Sequence, residues 1–102
     1  MRPFHIAQLD KARPVLVLTR ELVRPYLTQV TVAPVTSTVR GLSTEVAVGT
    51  ENGLNEACAV SCDNITTIPV AALGRRVGHL LPTQEAALAR AVALAFDLEA
   101  LR

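Results

Sequence analysis

"ARPVLVLT", residues 12–19, decides the fold: a cation and a proline, Arg13 and Pro14, lead into an unbroken run of β-branched residues and leucine, Val15 to Leu18. A run of this length and composition predicts a buried strand. Pro14 fixes its own φ and biases Arg13 toward extended backbone. Arg13 is then either a solvated charge closing the strand or a group that the strand holds still, and local sequence leaves both readings open.

Working outward, "PFHIAQL" before this run reads as a first strand, and "QVTVAPV" after it alternates, with Val30 and Val32 on one face and Thr31 and Ala33 on the other. Pro34 is expected to put the far end of that strand at an edge or bulge. "STEVAVG" and "ACAVSCD" give two more strands around the turn signal "ENG", because Asn52 and Gly53 tolerate positive φ. "TTIPVAAL" and "RRVGHL" supply short final strands or turns. Connections this short favour antiparallel pairing in a small barrel or curled sheet. From Pro82 the pattern becomes helical: Leu88, Val92 and Phe96 recur at spacing four beside Ala95 and Leu98, with Thr83 as candidate N-cap. The expected architecture is one domain over 1–102, mainly β, with a barrel over about 1–81 and a C-terminal helix over about 82–100 that packs on it as a lid.

Composition narrows the function classes. The chain has 102 residues, half of them apolar, and a formal charge of +1, so it carries neither a basic nucleic-acid arm nor an acidic tail. No signal-peptide pattern and no apolar run near the ~20 residues of a membrane span is visible, which gives a soluble cytoplasmic protein with no membrane partner as the expectation. Cys58 and Cys62 lie four apart, roughly 13 Å on a strand against a disulfide limit near 7 Å, so they read as buried small hydrophobes in a reduced compartment. There is no phosphate-binding glycine loop, no paired-cysteine zinc spacing and no histidine pair on one helix face, so no metal or cofactor is expected. His5 and His79 read as packed or surface residues, and Ser61, His79 and Asp63 carry no weight as a triad.

A set of polar residues at predicted strand ends remains. Arg13 precedes the second strand, Thr36, Ser37 and Thr38 follow the third, and Ser61, Asp63 and Asn64 follow the fifth. In a barrel, neighbouring strand ends converge. An arginine fork with threonine hydroxyls suits a phosphate without any basic patch, whereas hydroxyl-rich turns beside a surface arginine are the bland alternative.

The order and spacing of "ARPVLVLT", "VAPVTST", "VSCDNITTI" and "LGRRVGHL" before a helix resemble the MazF/PemK family of toxin endoribonucleases, over nearly the whole chain. The resemblance implies an SH3-like antiparallel barrel with a C-terminal helix, a homodimer, and a metal-independent ribonuclease that cuts single-stranded RNA at short sequences and is held inactive by a cognate antitoxin. It also implies that Arg13 is catalytic, that Thr36 contacts substrate, and that Asp63 falls on a position implicated in some members. Ser37, Thr38, Ser61 and Asn64 are the associated candidates for substrate binding.

These residue types fit the chemistry. A ribose 2′-hydroxyl attacking its own phosphodiester needs charge stabilisation at phosphorus and proton transfer at both ends, but no protein nucleophile. Arg13 is assigned to the phosphorane charge, Thr36 to a phosphate hydrogen bond, and Asp63 to the role of base or orienter of Arg13. Two departures from the family pattern stand out. Many members carry a long loop between strands one and two where this chain has only "DKA", Asp10 to Ala12, so groove shape and base preference do not carry over. Some members also place an arginine where this chain has Ser61, and Arg40 could compensate only if its loop folds inward. Other classes remain as rivals: a gyrase-binding toxin of the CcdB kind, whose C-terminal tryptophan is absent here, and a plain interaction module.

Overall fold

The computed structural model describes residues 1–99. Seven strands and one helix follow in chain order: β1 Pro3–Gln8, β2 Ala12–Val17, β3 Gln29–Thr36, β4 Glu45–Val48, β5 Cys58–Ser61, β6 Thr66–Pro69, β7 Leu73–His79 and α1 Glu85–Ala95. Every pairing is antiparallel, in the order β4-β5-β3-β2-β1-β7 with β6 also on β3. Among the described residues no ladder joins β7 back to β4 or β6, so the sheet is curled rather than closed by backbone pairing.

The run in β2 is continuous because both of its faces are covered. Leu16 points into a main core with Phe4, Val35, Val60, Leu80 and Leu88, whereas Val15 and Val17 join a second core with Val30, Val32 and Ile68. Successive side chains point to opposite faces of a strand, so one strand serves two cores. β3 does the same along its length, sending Val30 and Val32 to the second core and Ala33 and Val35 to the main one.

Pro34 does not sit at a strand edge. It lies inside β3, opposite Val15 of β2, where the other side of β3 changes partner from β6, ending at Val32, to β5, beginning at Val35. Neither strand stands opposite Pro34 at that changeover, so a residue without an N–H is tolerated there.

The helix is shorter than its sequence pattern. Pro82–Gln84 form a 3₁₀ turn, and α1 starts at Glu85. Thr83 is exposed and makes no capping bond; the side-chain oxygen of Gln84 accepts instead from the Leu81 N–H at 2.9 Å and from Asn52 Nδ2 at 2.7 Å. At the other end Asp97 has φ 54° and the Leu98 N–H donates to Ala93 O at 2.8 Å, which closes α1 after Ala95. Leu88 and Ala91 are therefore buried, while Phe96 and Leu98, placed in the stripe by the spacing, are more than half exposed. Residues 100–102, the tail of the expected domain, lie outside the described residues.

A buried asparagine ties the helix entrance to the sheet. Asn52 accepts from the Gly49 N–H at 3.1 Å and donates to His79 O at 3.1 Å as well as to Gln84. The turn can approach β7 this closely because Gly53 adopts φ 87° and a Cβ on Gly78 would stand 1.7 Å from Asn52 O.

Candidate active site

The ends of β2, β3 and β5 meet on one side of the curled sheet and line a cleft of about 810 Å³. Arg13 comes from β2 and Thr36 from β3, while Ser61, Asp63 and Asn64 come from the end of β5 and the 3₁₀ turn that follows. Thr38 lines the same space. Six of the seven residues selected from the sequence therefore converge. Ser37 does not: it faces a neighbouring cleft of about 400 Å³ that also reaches Arg13, Thr36 and Thr38. Those three form the ridge between the two clefts.

Arg13 is held from one side only. Its Nη2 donates to Asp10 Oδ2 at 3.2 Å, while its Nε is buried and has no hydrogen-bond partner. An unpaired buried donor is costly, and among the described residues Arg24 Nε shares this condition away from both clefts. The partner is Asp10, from the short "DKA" connection, and not Asp63. Asp63 Oδ2 instead accepts from the Thr44 hydroxyl at 2.6 Å, so the sequence-based role of orienting Arg13 belongs to Asp10. Thr36 Oγ1 accepts from the Thr38 N–H at 3.1 Å, which leaves its own hydroxyl proton to donate outward. Asn64 Nδ2 donates to Ser61 Oγ at 2.8 Å, which pairs the two side chains.

Asp10, Leu42 and Glu45, none of them selected from the sequence as functional residues, also line the main cleft. Arg40 lines it too, so the loop before β4 does fold inward. That loop is visible to sequence reasoning only as the residues around Gly41, which here takes φ 73°.

Neither cysteine has nucleophile character. Burial pushes the Cys62 thiol from 9.0 up to about 11, helped by the neighbouring Asp63 charge, and burial also raises Cys58, with Glu56 and Glu51 adding to it. Both are free thiols. His5 is bound at the Gly74 carbonyl, with Nδ1 3.0 Å from the oxygen, and neither it nor His79 lines either cleft. Among the described residues no three His, Cys, Asp or Glu side chains are placed to hold a metal ion, and no helix is long and apolar enough to cross a membrane.

Comparison with known proteins adds to this geometry. The profile of a family described as "PemK-like, MazF-like toxin of type II toxin-antitoxin system" matches residues 5–96. Endoribonuclease MazF3 of Mycobacterium tuberculosis is 69% identical over 99 residues, covering 97% of this chain and 96% of that protein. The structure of the Mycobacterium tuberculosis toxin MazF-mt6 superposes with a TM-score of 0.95 at 68% identity, covering 97% of this chain and all of that one. An endoribonuclease from a mycobacterial species, solved with its cognate antitoxin, superposes at 0.85 with 26% identity, covering 97% of this chain and 95% of its own.

Proposed function

The chain belongs to the PemK-like, MazF-like toxin family of type II toxin-antitoxin systems, and on that footing we propose that it is a sequence-specific, metal-independent endoribonuclease acting on single-stranded RNA in the cytoplasm. The observation that carries the reading is Arg13. Its Nε is buried and unpaired, and the residue lies with Thr36 on the ridge where two clefts meet. A strand crossing that ridge would bring one phosphodiester to an unsatisfied donor and lay its flanking nucleotides in clefts on either side.

The steps follow from the donor set. The ribose 2′-oxygen attacks the adjacent phosphorus, and negative charge accumulates on the non-bridging oxygens of a pentacoordinate state. Arg13 supplies its Nε–H to one of those oxygens, while Nη2 stays on Asp10, which fixes the plane of the guanidinium. The Thr36 hydroxyl, with its oxygen already bonded by the Thr38 N–H, donates its proton to a phosphate oxygen. Asp63 has one carboxylate oxygen on Thr44 and one free to accept the 2′-hydroxyl proton, which makes it the candidate base. The P–O5′ bond then breaks and the leaving 5′-oxygen takes a proton from solvent water in the open cleft, giving a 2′,3′-cyclic phosphate and a 5′-hydroxyl end; DNA, without a 2′-hydroxyl, is not cut.

The protein is proposed to act as a homodimer inhibited by a cognate antitoxin. Leu22 and Tyr26 on the β2–β3 connection, and Leu94, Phe96 and Leu98 around the end of α1, are exposed apolar side chains of the kind that such partners cover. The named relatives are endoribonucleases, which turns the reading away from a gyrase-binding toxin.

The test is to incubate wild-type and Arg13→Ala protein with a long single-stranded RNA in chelator and to map new 5′ ends. Cuts at one short motif are expected from wild type, with a loss of at least about a hundredfold in the variant. Cleavage retained by Arg13→Ala removes Arg13 from the mechanism, and no cleavage of any RNA by wild type overturns the reading.

A further inference from the structure

The loop before β4 is built around one carboxylate. Glu45, the first residue of β4, accepts from three successive backbone N–H groups: Oε1 from Arg40 at 3.1 Å, from Gly41 at 2.8 Å and from Leu42 at 3.1 Å, with Oε2 also 3.3 Å from the Arg40 nitrogen. The Glu45 backbone N–H donates back to Leu42 O at 3.0 Å. Three converging donors require the backbone to turn sharply, and Gly41 at φ 73° provides that turn.

A carboxylate with charge-assisted bonds to three amides holds a loop more firmly than the loop's own residues do. Its effect lies in what the loop carries. Arg40 and Leu42 line the same cleft as Arg13, Ser61 and Asp63, and among the described residues the Arg40 guanidinium enters neither an ion pair nor a hydrogen bond. The Glu45 carboxylate in the cleft wall is hydrogen-bonded by these amides and, among the described residues, forms no ion pair with Arg40. Among the described residues Arg40 thus remains an unpaired cation lining the same cleft as Arg13.

We infer that Glu45 is a positioning residue which folds the 40–42 loop into the cleft wall, and that Arg40, presented by it, binds a second phosphate of the RNA, one flanking the phosphate at Arg13. The inference rests on the endoribonuclease reading above and extends it from one phosphate to two. Arg40 contributes to binding and not to the chemical step. Glu45 acts only through Arg40 and the loop.

The experiment measures binding and cleavage separately. A fully 2′-O-methylated oligonucleotide carrying the mapped motif cannot be cut, so its affinity is read by fluorescence anisotropy over a range of salt; the RNA version gives KM and kcat. Arg40→Ala is expected to weaken binding by about tenfold, to reduce the salt slope by about 0.7, as for one phosphate on a single strand, and to raise KM with kcat nearly unchanged. Glu45→Ala should show the same pattern more weakly, Glu45→Gln, which keeps one acceptor oxygen, should recover most of the loss, and the Arg40→Ala/Glu45→Ala double variant should bind within about twofold of Arg40→Ala alone. A merely structural Glu45 would lower the melting temperature without changing the salt slope. Wild-type affinity and salt slope in Arg40→Ala, or losses that multiply in the double variant, overturn the inference while leaving wild-type cleavage, and hence the endoribonuclease reading, intact. Wild type that neither binds nor cuts RNA overturns both.

Discussion

Replacing Arg13 by methionine should make the free protein slightly more stable while abolishing its activity. The Arg13 side chain is about a quarter exposed, and its fold-stabilising contacts are its aliphatic stem and the ion pair with Asp10 at 3.2 Å. Asp10 is mostly exposed, and such a pair contributes about 0–1 kcal/mol. Against it stands the buried Nε with no partner, whose lost hydration costs about 1–3 kcal/mol. Methionine keeps an unbranched stem of similar reach and removes both the pair and the orphan donor. The difference favours the variant by about 1 kcal/mol, or roughly 4 °C in melting temperature for a chain of this size. Urea melts at two protein concentrations separate this effect from any change in association. Cleavage should fall by at least about a hundredfold in the same preparation, because the phosphate loses its preorganised donors. A variant destabilised by more than about 1 kcal/mol would show that Arg13 is part of the scaffold, and the argument that its strain is reserved for substrate would then fail.

Two further outcomes follow from the structure. Gly78→Ala would put a Cβ 1.7 Å from the backbone oxygen of Asn52, in a turn held by the Asn52 side-chain bonds, so the variant should lose about 3 kcal/mol or fail to fold, as read by far-UV circular dichroism and urea melts. The raised Cys62 thiol makes stability fall with alkali: the unfolded chain releases this proton near 9.0 and the folded chain only near about 11, so the urea midpoint should drop across that window, and Cys62→Ala should flatten the drop. A midpoint that stays level over the same range in wild type would contradict the burial argument.

The parts of the fold legible in the sequence were those set by neighbours in the chain. The β2 run, the alternation of β3 and the turn at Asn52–Gly53 all follow from local periodicity and φ preference. Errors arose where a distant residue decided the outcome. Thr83 has the right chemistry for an N-cap, but Gln84 displaced it because its amide also meets Asn52, 32 positions away, and a bond that also satisfies a buried group outweighs a surface cap. Pro34 was expected at an edge or bulge because sequence does not show that β3 changes partners there. Phe96 kept the helical spacing but fell beyond a C-terminus set by Asp97. In the site, Arg13, Thr36 and Asp63 were named through resemblance and lie in one cleft, but Asp10 and Glu45 were not seen, since a carboxylate in a connection carries no mark of the amide or guanidinium it will meet.

The charges of the cleft explain how a nearly neutral chain can handle a polyanion. Arg13 and Arg40 face Asp10, Glu45 and Asp63, so a count of charges alone would make the cleft repel phosphate. Each carboxylate, however, is already bonded: Asp10 to Arg13, Glu45 to three amides, and Asp63 to the Thr44 hydroxyl. Bonded in this way Asp10 and Glu45 orient donors instead of competing for them, and the cleft offers an incoming strand a few fixed N–H and O–H groups beside the one free oxygen of Asp63. Long-range steering is weak for a chain of charge +1, so RNA is not gathered indiscriminately. On the proposed reading, phosphates would be held only where the strand also fits between the two arginines and the strand ends. A site of this kind trades general affinity for selectivity, which is the property that a nuclease confined to a short motif requires.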